Sequence, residues 1–201
     1  MTRSTNVPEI RTLWALVCSG ALVTAPAFAG EGQSAPLTAA GPNPAAPAEL
    51  AQYGALKGSW SCESSSQGPN GEWQTLPGRA TWSWYYVLDG HAVQDVWKPA
   101  AEGAPWGTNL RTYDAEKKRW HMVWATQAQP EFDYYEATYS EGMIVMRGEN
   151  PPRTANIPPH AAKITFYNMS DEHFDWKYEA TAPGSDSGWS PFSRISCDRL
   201  N

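Results

Sequence analysis

From residue 58 onward the chain alternates hydrophobic and polar positions in short runs with a period of two, the mark of half-buried β-strands. The plainest run is Arg79–Leu88, where Trp82, Trp84 and Tyr86 alternate with Thr81, Ser83 and Tyr85. The same period puts Trp120, Met122 and Trp124 on one face of Arg119–Thr126, and Phe174, Trp176 and Tyr178 on one face of His173–Thr181. Further strands are predicted over Ser59–Ser64, His91–Trp97, Thr108–Tyr113, Glu131–Tyr139, Met143–Arg147, Lys163–Met169 and Trp189–Asp198. Turn-forming residues separate them. Asp89-Gly90 predicts a tight hairpin turn, Glu141-Gly142 another, and Gly148–His160 a Pro-rich loop. Upstream, Pro47–Leu56 is the one helical stretch, rich in Ala, Glu and Leu and closed by Gly58. Hairpin following hairpin, in about ten short strands, predicts an all-β antiparallel up-and-down barrel with a short N-terminal helix.

The first residues follow a different pattern. Arg3 and Arg11 precede an apolar run from Leu13 to Val23, and Ala27-Phe28-Ala29 supplies the small-x-small order of a cleavage site. Residues 1–29 therefore read as a secretory signal, since the apolar run is shorter than the roughly 20 residues a membrane span requires. Residues 30–47, rich in Ala, Pro and Gly, read as a flexible leader, and 48–201 as the barrel domain. Export implies a periplasmic or extracellular location and an oxidising compartment. The two cysteines left after cleavage, Cys62 and Cys197, lie near the start and the end of the domain. They are expected to form a disulfide tying the first strand to the last, the alternative being two separate buried thiols.

Charge narrows the partners. Removing residues 1–29, with Arg3, Arg11 and Glu9, takes the formal charge from −6 to −7. An acidic protein of this kind is not built for nucleic acid or an anionic membrane surface, and no stable membrane insertion is expected. The aromatic content points elsewhere. Ten of the eleven tryptophans lie beyond residue 29. A barrel of about ten strands is too wide for side chains to fill, so alternating aromatic residues predict an apolar pocket for a small molecule. By facing, Trp82, Trp84, Tyr86, Tyr113, Trp124, Trp176 and Tyr178 are the candidate ligand-binding residues, with Arg111 as the polar anchor. Arg111 shares its face with Asn109 and Tyr113; an inward Leu110 would turn it to solvent.

Candidate chemistry is sparse. There is no Gly-rich phosphate loop, no Gly-x-Ser-x-Gly elbow and no His-Glu-x-x-His helix. His91, Asp95 and Trp97 share one strand face, a pattern that can supply a base and its orienting carboxylate. Glu136 shares its face with Phe132 and Tyr134, where an apolar setting would raise a carboxyl pKa. Arg111 needs an acid or an anionic ligand if it points inward, Glu136 and Asp175 being the acids considered. His121 and His173 lie on the polar faces of their strands, while His160, after Pro158-Pro159, could reach a barrel mouth. The four scattered histidines give no metal-ligand spacing, so neither a metal nor another cofactor is expected.

Several of these motifs occur together in a known group. Leu56-Lys57-Gly58-Ser59-Trp60 after a short helix resembles the Gly-x-Trp element of lipocalin-like (calycin) barrels. Arg111-Thr112-Tyr113-Asp114, Trp120, Trp124, Phe174-Asp175-Trp176 and Gly188-Trp189 resemble the DUF1579-type group of bacterial lipocalin-like proteins. The resemblance spans most of residues 48–199 and implies a calycin-type barrel with a helix closing one end. Such barrels include carriers, haem proteins and a few enzymes. Haem binding is not carried over, because Cys62 stands where the haem-binding relatives prefer Gly. Two functions fit: an exported carrier of a hydrophobic or aromatic, including anionic, molecule, or an enzyme of the same fold (lyase, isomerase, cyclase or hydratase) moving protons on such a substrate.

Overall fold

A computed structural model describes residues 37–151 and 158–200; the predicted signal segment lies outside them. The elements in chain order are β1 (Thr38–Ala39), a 3₁₀ helix (Ala48–Leu56), β2 (Gly58–Gln67), β3 (Trp73–Thr75), β4 (Ala80–Val87), β5 (Ala92–Lys98) and β6 (Gly107–Asp114). They continue with β7 (Arg119–Thr126), β8 (Gln129–Ser140), β9 (Met143–Asn150), β10 (His160–Tyr167), β11 (His173–Thr181) and β12 (Ser190–Arg199). From β4 to β12 each strand pairs antiparallel with the next, β12 pairs with β2, and β2 pairs back to β4. Ten strands thus close into a barrel, and the short β1 and β3 lie outside the ring.

The seam explains the two added strands. β2 covers Ala80–Trp84 of β4, and β1 takes positions further along, pairing Thr38 with Val87 and Ala39 with Tyr86. Likewise β3 takes Ser65–Gln67 of β2, beyond the part that meets β4. Residues 38–46 are therefore bound to the barrel rather than forming a free leader. Asn43 donates to the Asp89 carboxylate at 2.9 Å, and its backbone N–H donates to the Gly90 carbonyl at 3.1 Å. A Cβ at Gly90 would collide with this segment, and its φ of +78° also calls for glycine. The Asp89-Gly90 hairpin is wider than a two-residue turn, because Val87 pairs with Ala92 and leaves Leu88–His91 as the loop.

Across the seam, Cys62 and Cys197 face each other in the β2–β12 register and form a disulfide, their Cα atoms 4.1 Å apart. One end of the barrel is filled by the helix. Leu50, Tyr53 and Leu56 are buried at a spacing of three, the period of a 3₁₀ helix. Ring donors lash it down: Trp60 Nε1 to the Leu56 carbonyl at 2.7 Å, Tyr86 Oη to the Leu50 carbonyl at 3.0 Å, and Trp120 Nε1 to Gln52 Oε1 at 2.9 Å. Arg199, stacked over Trp60, donates to the Ala55 and Lys57 carbonyls and so satisfies backbone acceptors that a helix end leaves open.

Candidate ligand-binding site

The other end of the barrel is hollow. A cavity of about 560 Å³ is walled by the rings of Trp82, Trp97, Trp124, Phe166 and Trp176, with Phe192, Pro158 and Gln129 at its more exposed rim. Each inward ring comes from an alternate position of its strand, so the period-two pattern supplies the wall directly. Glycines make the remaining room. A Cβ at Gly107 would overlap the indole of Trp124, and one at Gly148 would press on the Tyr135 ring. Both rings lie close over a neighbouring backbone because that strand lacks a side chain there.

The predicted binding residues divide by depth. Trp82, Arg111, Trp124, Trp176 and Tyr178 line the cavity. Trp84, Tyr86 and Tyr113 face inward too, but they do not line it. Trp84 packs on Tyr53 and Phe166, Tyr86 is hydrogen-bonded to the helix, and Tyr113 packs edge-on against Trp120. The helix occupies their end of the barrel, so they are core rather than pocket.

Arg111 points inward and Leu110 outward, at 37% exposure. The acid that meets Arg111 is neither Glu136 nor Asp175 but Asp95, on the neighbouring strand β5 opposite Asn109. Arg111 Nη2 donates to Asp95 Oδ2 at 2.6 Å, and both side chains are 0% exposed. Asn109 completes the group with its backbone N–H and its amide on the Asp95 carboxylate, at 3.1 to 3.2 Å. The guanidinium lies 4.4 Å from the Trp84 ring centroid and 5.2 Å from that of Tyr53. Burial pushes the Tyr53 phenol up to about 12, against the pull of the Arg111 charge. Arg111 Nε and Nη1 and Trp82 Nε1 are buried donors with no hydrogen-bond partner.

Nearer the rim lies a second polar group. Tyr135 Oη donates to Asn150 Oδ1 at 3.2 Å, Asn150 Nδ2 donates to Tyr178 Oη at 2.8 Å, and Tyr178 Oη meets His160 Nε2 at 2.7 Å. His160 Nδ1 lies 2.9 Å from the Pro158 carbonyl. All four side chains line the cavity. Burial raises the Tyr135 pKa above its ordinary value. Sequence reasoning misses Tyr135 because it gives the inner face of β8 to Phe132, Tyr134 and Glu136. The structure turns those three outward and puts Asp133, Tyr135 and Ala137 inside. Glu136, 53% exposed, pairs with Arg119 at 2.6 Å and has no part in the cavity. Asn150 is missed, and His160 left without a strand, because Gly148–His160 reads as loop, whereas β9 runs to Asn150 and β10 starts at His160.

His91 does not share the inner face with Asp95. It sits in the β4–β5 loop, exposed, with Nδ1 near the Leu88 carbonyl. Asp95 orients an arginine, not a histidine. Among the described residues no three His, Cys, Asp or Glu side chains are grouped to hold a metal ion, and no helix is long and apolar enough to cross a membrane.

A solved structure carries this architecture. Over 74% of this chain and 90% of the other, the barrel superposes on an S-type phycobiliprotein lyase from Guillardia theta with a TM-score of 0.51 and 11% sequence identity. The fold is a lipocalin-like barrel. At that identity the likeness concerns the fold alone. No protein-family profile matches the sequence, and no curated protein does.

Proposed function

We propose that this lipocalin-like protein is an exported binding protein that takes one planar, mainly hydrophobic aromatic molecule into its barrel. We also propose that it belongs with the DUF1579-type group. The observation that carries the reading is the 560 Å³ cavity whose described lining includes eight Trp, Tyr and Phe rings with a few polar side chains among them. A cavity of that size takes a drug-sized molecule. Flat rings suit a flat ligand, and the few polar groups among them suit a ligand that carries one or two acceptors such as a carbonyl or ether oxygen.

Asp95 bears on the charge of that ligand. The Arg111–Asp95 pair is neutral as a whole, so a carboxylate would have to compete with Asp95 for the guanidinium. An uncharged acceptor therefore fits better than an anion. The cleavage-site order at residues 27–29 and the Cys62–Cys197 disulfide both support export.

The test is direct. The protein purified from its native host is extracted with organic solvent and the extract analysed by mass spectrometry. In parallel, N-phenyl-1-naphthylamine, a neutral aromatic probe, is titrated against tryptophan fluorescence. The expected result is an aromatic compound near one per protein and saturable quenching by the probe. An empty extract together with no saturable quenching up to the solubility of the probe would overturn the reading. N-terminal sequencing of the same preparation should begin at Gly30; a chain still starting at Met1 removes the export part.

A further inference from the structure

The rim network has a direction. A carbonyl oxygen only accepts, so the Pro158 carbonyl requires the proton on His160 Nδ1, which leaves Nε2 of the neutral ring as an acceptor. The 2.7 Å contact is then Tyr178 O–H donating to His160 Nε2. The Asn150 amide donates to the same phenol oxygen at 2.8 Å, and its carbonyl is held in turn by Tyr135. Each member thus donates to the next, from Tyr135 through Asn150 and Tyr178 to His160. Such a chain polarises every O–H and N–H along it toward the imidazole. Here a phenol that touches both a base and an amide donor, themselves 3.3 Å apart, lines the cavity.

We infer that Tyr178, backed by His160, is a proton-transfer group, and that the substrate is an uncharged, enolisable aromatic ketone bound in the cavity. The inference rests on the ligand class proposed above. In the forward step the C–H bond next to the carbonyl breaks. Its proton goes to Tyr178 Oη as the phenol proton moves to His160 Nε2, and the electron pair passes into a new C=C bond and onto the carbonyl oxygen. The negative charge that develops on that oxygen is balanced within the site by the imidazolium formed at His160. In the reverse step a proton returns from His160 through Tyr178 to carbon. If it returns to the same carbon, solvent hydrogen is exchanged in; if it returns to a conjugated position, the ketone is isomerised. No oxidant, reductant or cofactor enters the balance. Tyr178 is the catalytic residue; His160 and Asn150 position it and hold its proton.

The experiment uses the full mature protein with 2-tetralone and deoxybenzoin, two uncharged aromatic ketones. Binding is read from tryptophan fluorescence, and uptake of deuterium at the carbon beside the carbonyl from proton NMR in D₂O. Wild type at saturation should exchange about 10²-fold faster than buffer or more, the usual range for a positioned acid or base. Tyr178→Phe should lose the acceleration when compared with wild type at saturating ketone, its own affinity being measured first. His160→Gln, which keeps a side-chain amide at the rim, should exchange at least tenfold more slowly than wild type at saturating ketone. Circular dichroism and the binding curve show that each variant is folded. Saturable binding with exchange no faster than buffer, or undiminished exchange in Tyr178→Phe, would overturn the proton-transfer role and leave the binding function standing. No saturable binding of either ketone would overturn the uncharged aromatic ligand class and the inference with it.

Discussion

Arg111→Met removes the charge from one half of a pair that has no solvent on either side. The Asp95 carboxylate would keep three hydrogen bonds, all from Asn109, at 3.1 to 3.2 Å, and lose the 2.6 Å bond from the guanidinium. Leaving one member of a buried pair uncompensated costs about 3–5 kcal/mol. The remaining Asn109 contacts favour the lower end. Against a total stability of about 5–15 kcal/mol for a domain, this is a large fraction. With a urea slope of about 2 kcal/mol/M, the unfolding midpoint should fall by about 1.5–2.5 M. The double variant Asp95→Asn/Arg111→Met leaves no charge behind, while the substituted amide oxygen can still accept from Asn109. It should therefore recover about 2 kcal/mol of the loss, which an additive pair of changes could not do. Urea titrations followed by fluorescence, at one pH and with slopes compared, read both numbers. An Arg111→Met protein within about 1 kcal/mol of wild type, or a double variant no more stable than the single one, would refute the description of Arg111 as a buried charge neutralised by Asp95.

Gly107→Ala should displace Trp124 from the pocket wall; stability should fall by about 1–3 kcal/mol and N-phenyl-1-naphthylamine affinity should drop, whereas unchanged probe affinity would mean that the cavity does not depend on that close approach. Reducing the Cys62–Cys197 bridge, or Cys62→Ser/Cys197→Ser, should lower stability by about 4–5 kcal/mol because the closed loop is long, measured by urea unfolding with and without reductant. His173 has its pKa raised chiefly by its hydrogen bond to Asp198, aided by Asp175. Its contribution is then full below the ordinary histidine pKa of about 6.5 and is lost as pH rises through the raised value. His173→Gln should accordingly cost more at pH 5.5 than at pH 8.5. The site is partly exposed, so the difference should stay below about 1 kcal/mol. Equal costs at the two pH values would show that the pair is screened out. Trp120→Phe keeps an aromatic ring but removes the bond to Gln52, and should cost about 1 kcal/mol in thermal or urea unfolding.

The period-two pattern carried the ring of strands and the inward facing of Trp82, Trp124, Trp176, Tyr178 and Arg111, because a barrel buries every second side chain wherever it occurs. It could not carry depth. Trp84 and Tyr113 have the same facing as Trp82 and Arg111, and only the helix seated at one end makes them core. At β8 the pattern misleads: Phe132 and Tyr134 put two aromatic rings on the solvent face, and the inner face holds only Tyr135 and Ala137 beside an aspartate. Gly148, which gives the Tyr135 ring its space, carries no signal of its own until β9 is placed beside β8. β1 and β3 are two and three residues long, too short for any alternation to register. The Arg111–Asp95 pairing was hidden for a related reason. Asp95 had an apparent partner in His91 on the same face, and only the four-residue loop places His91 outside β5.

The helix that stoppers one end of the barrel makes the cavity a blind tunnel, and a blind tunnel imposes order in time. On the proposed binding function, a guest enters at the rim, past Tyr178 and His160, and its leading end reaches the aromatic floor around Trp82. It must back out by the way it came, so the next guest waits for the last to leave. For a binding protein of the kind proposed, two guests with the same groups in opposite sequence are then different cargo.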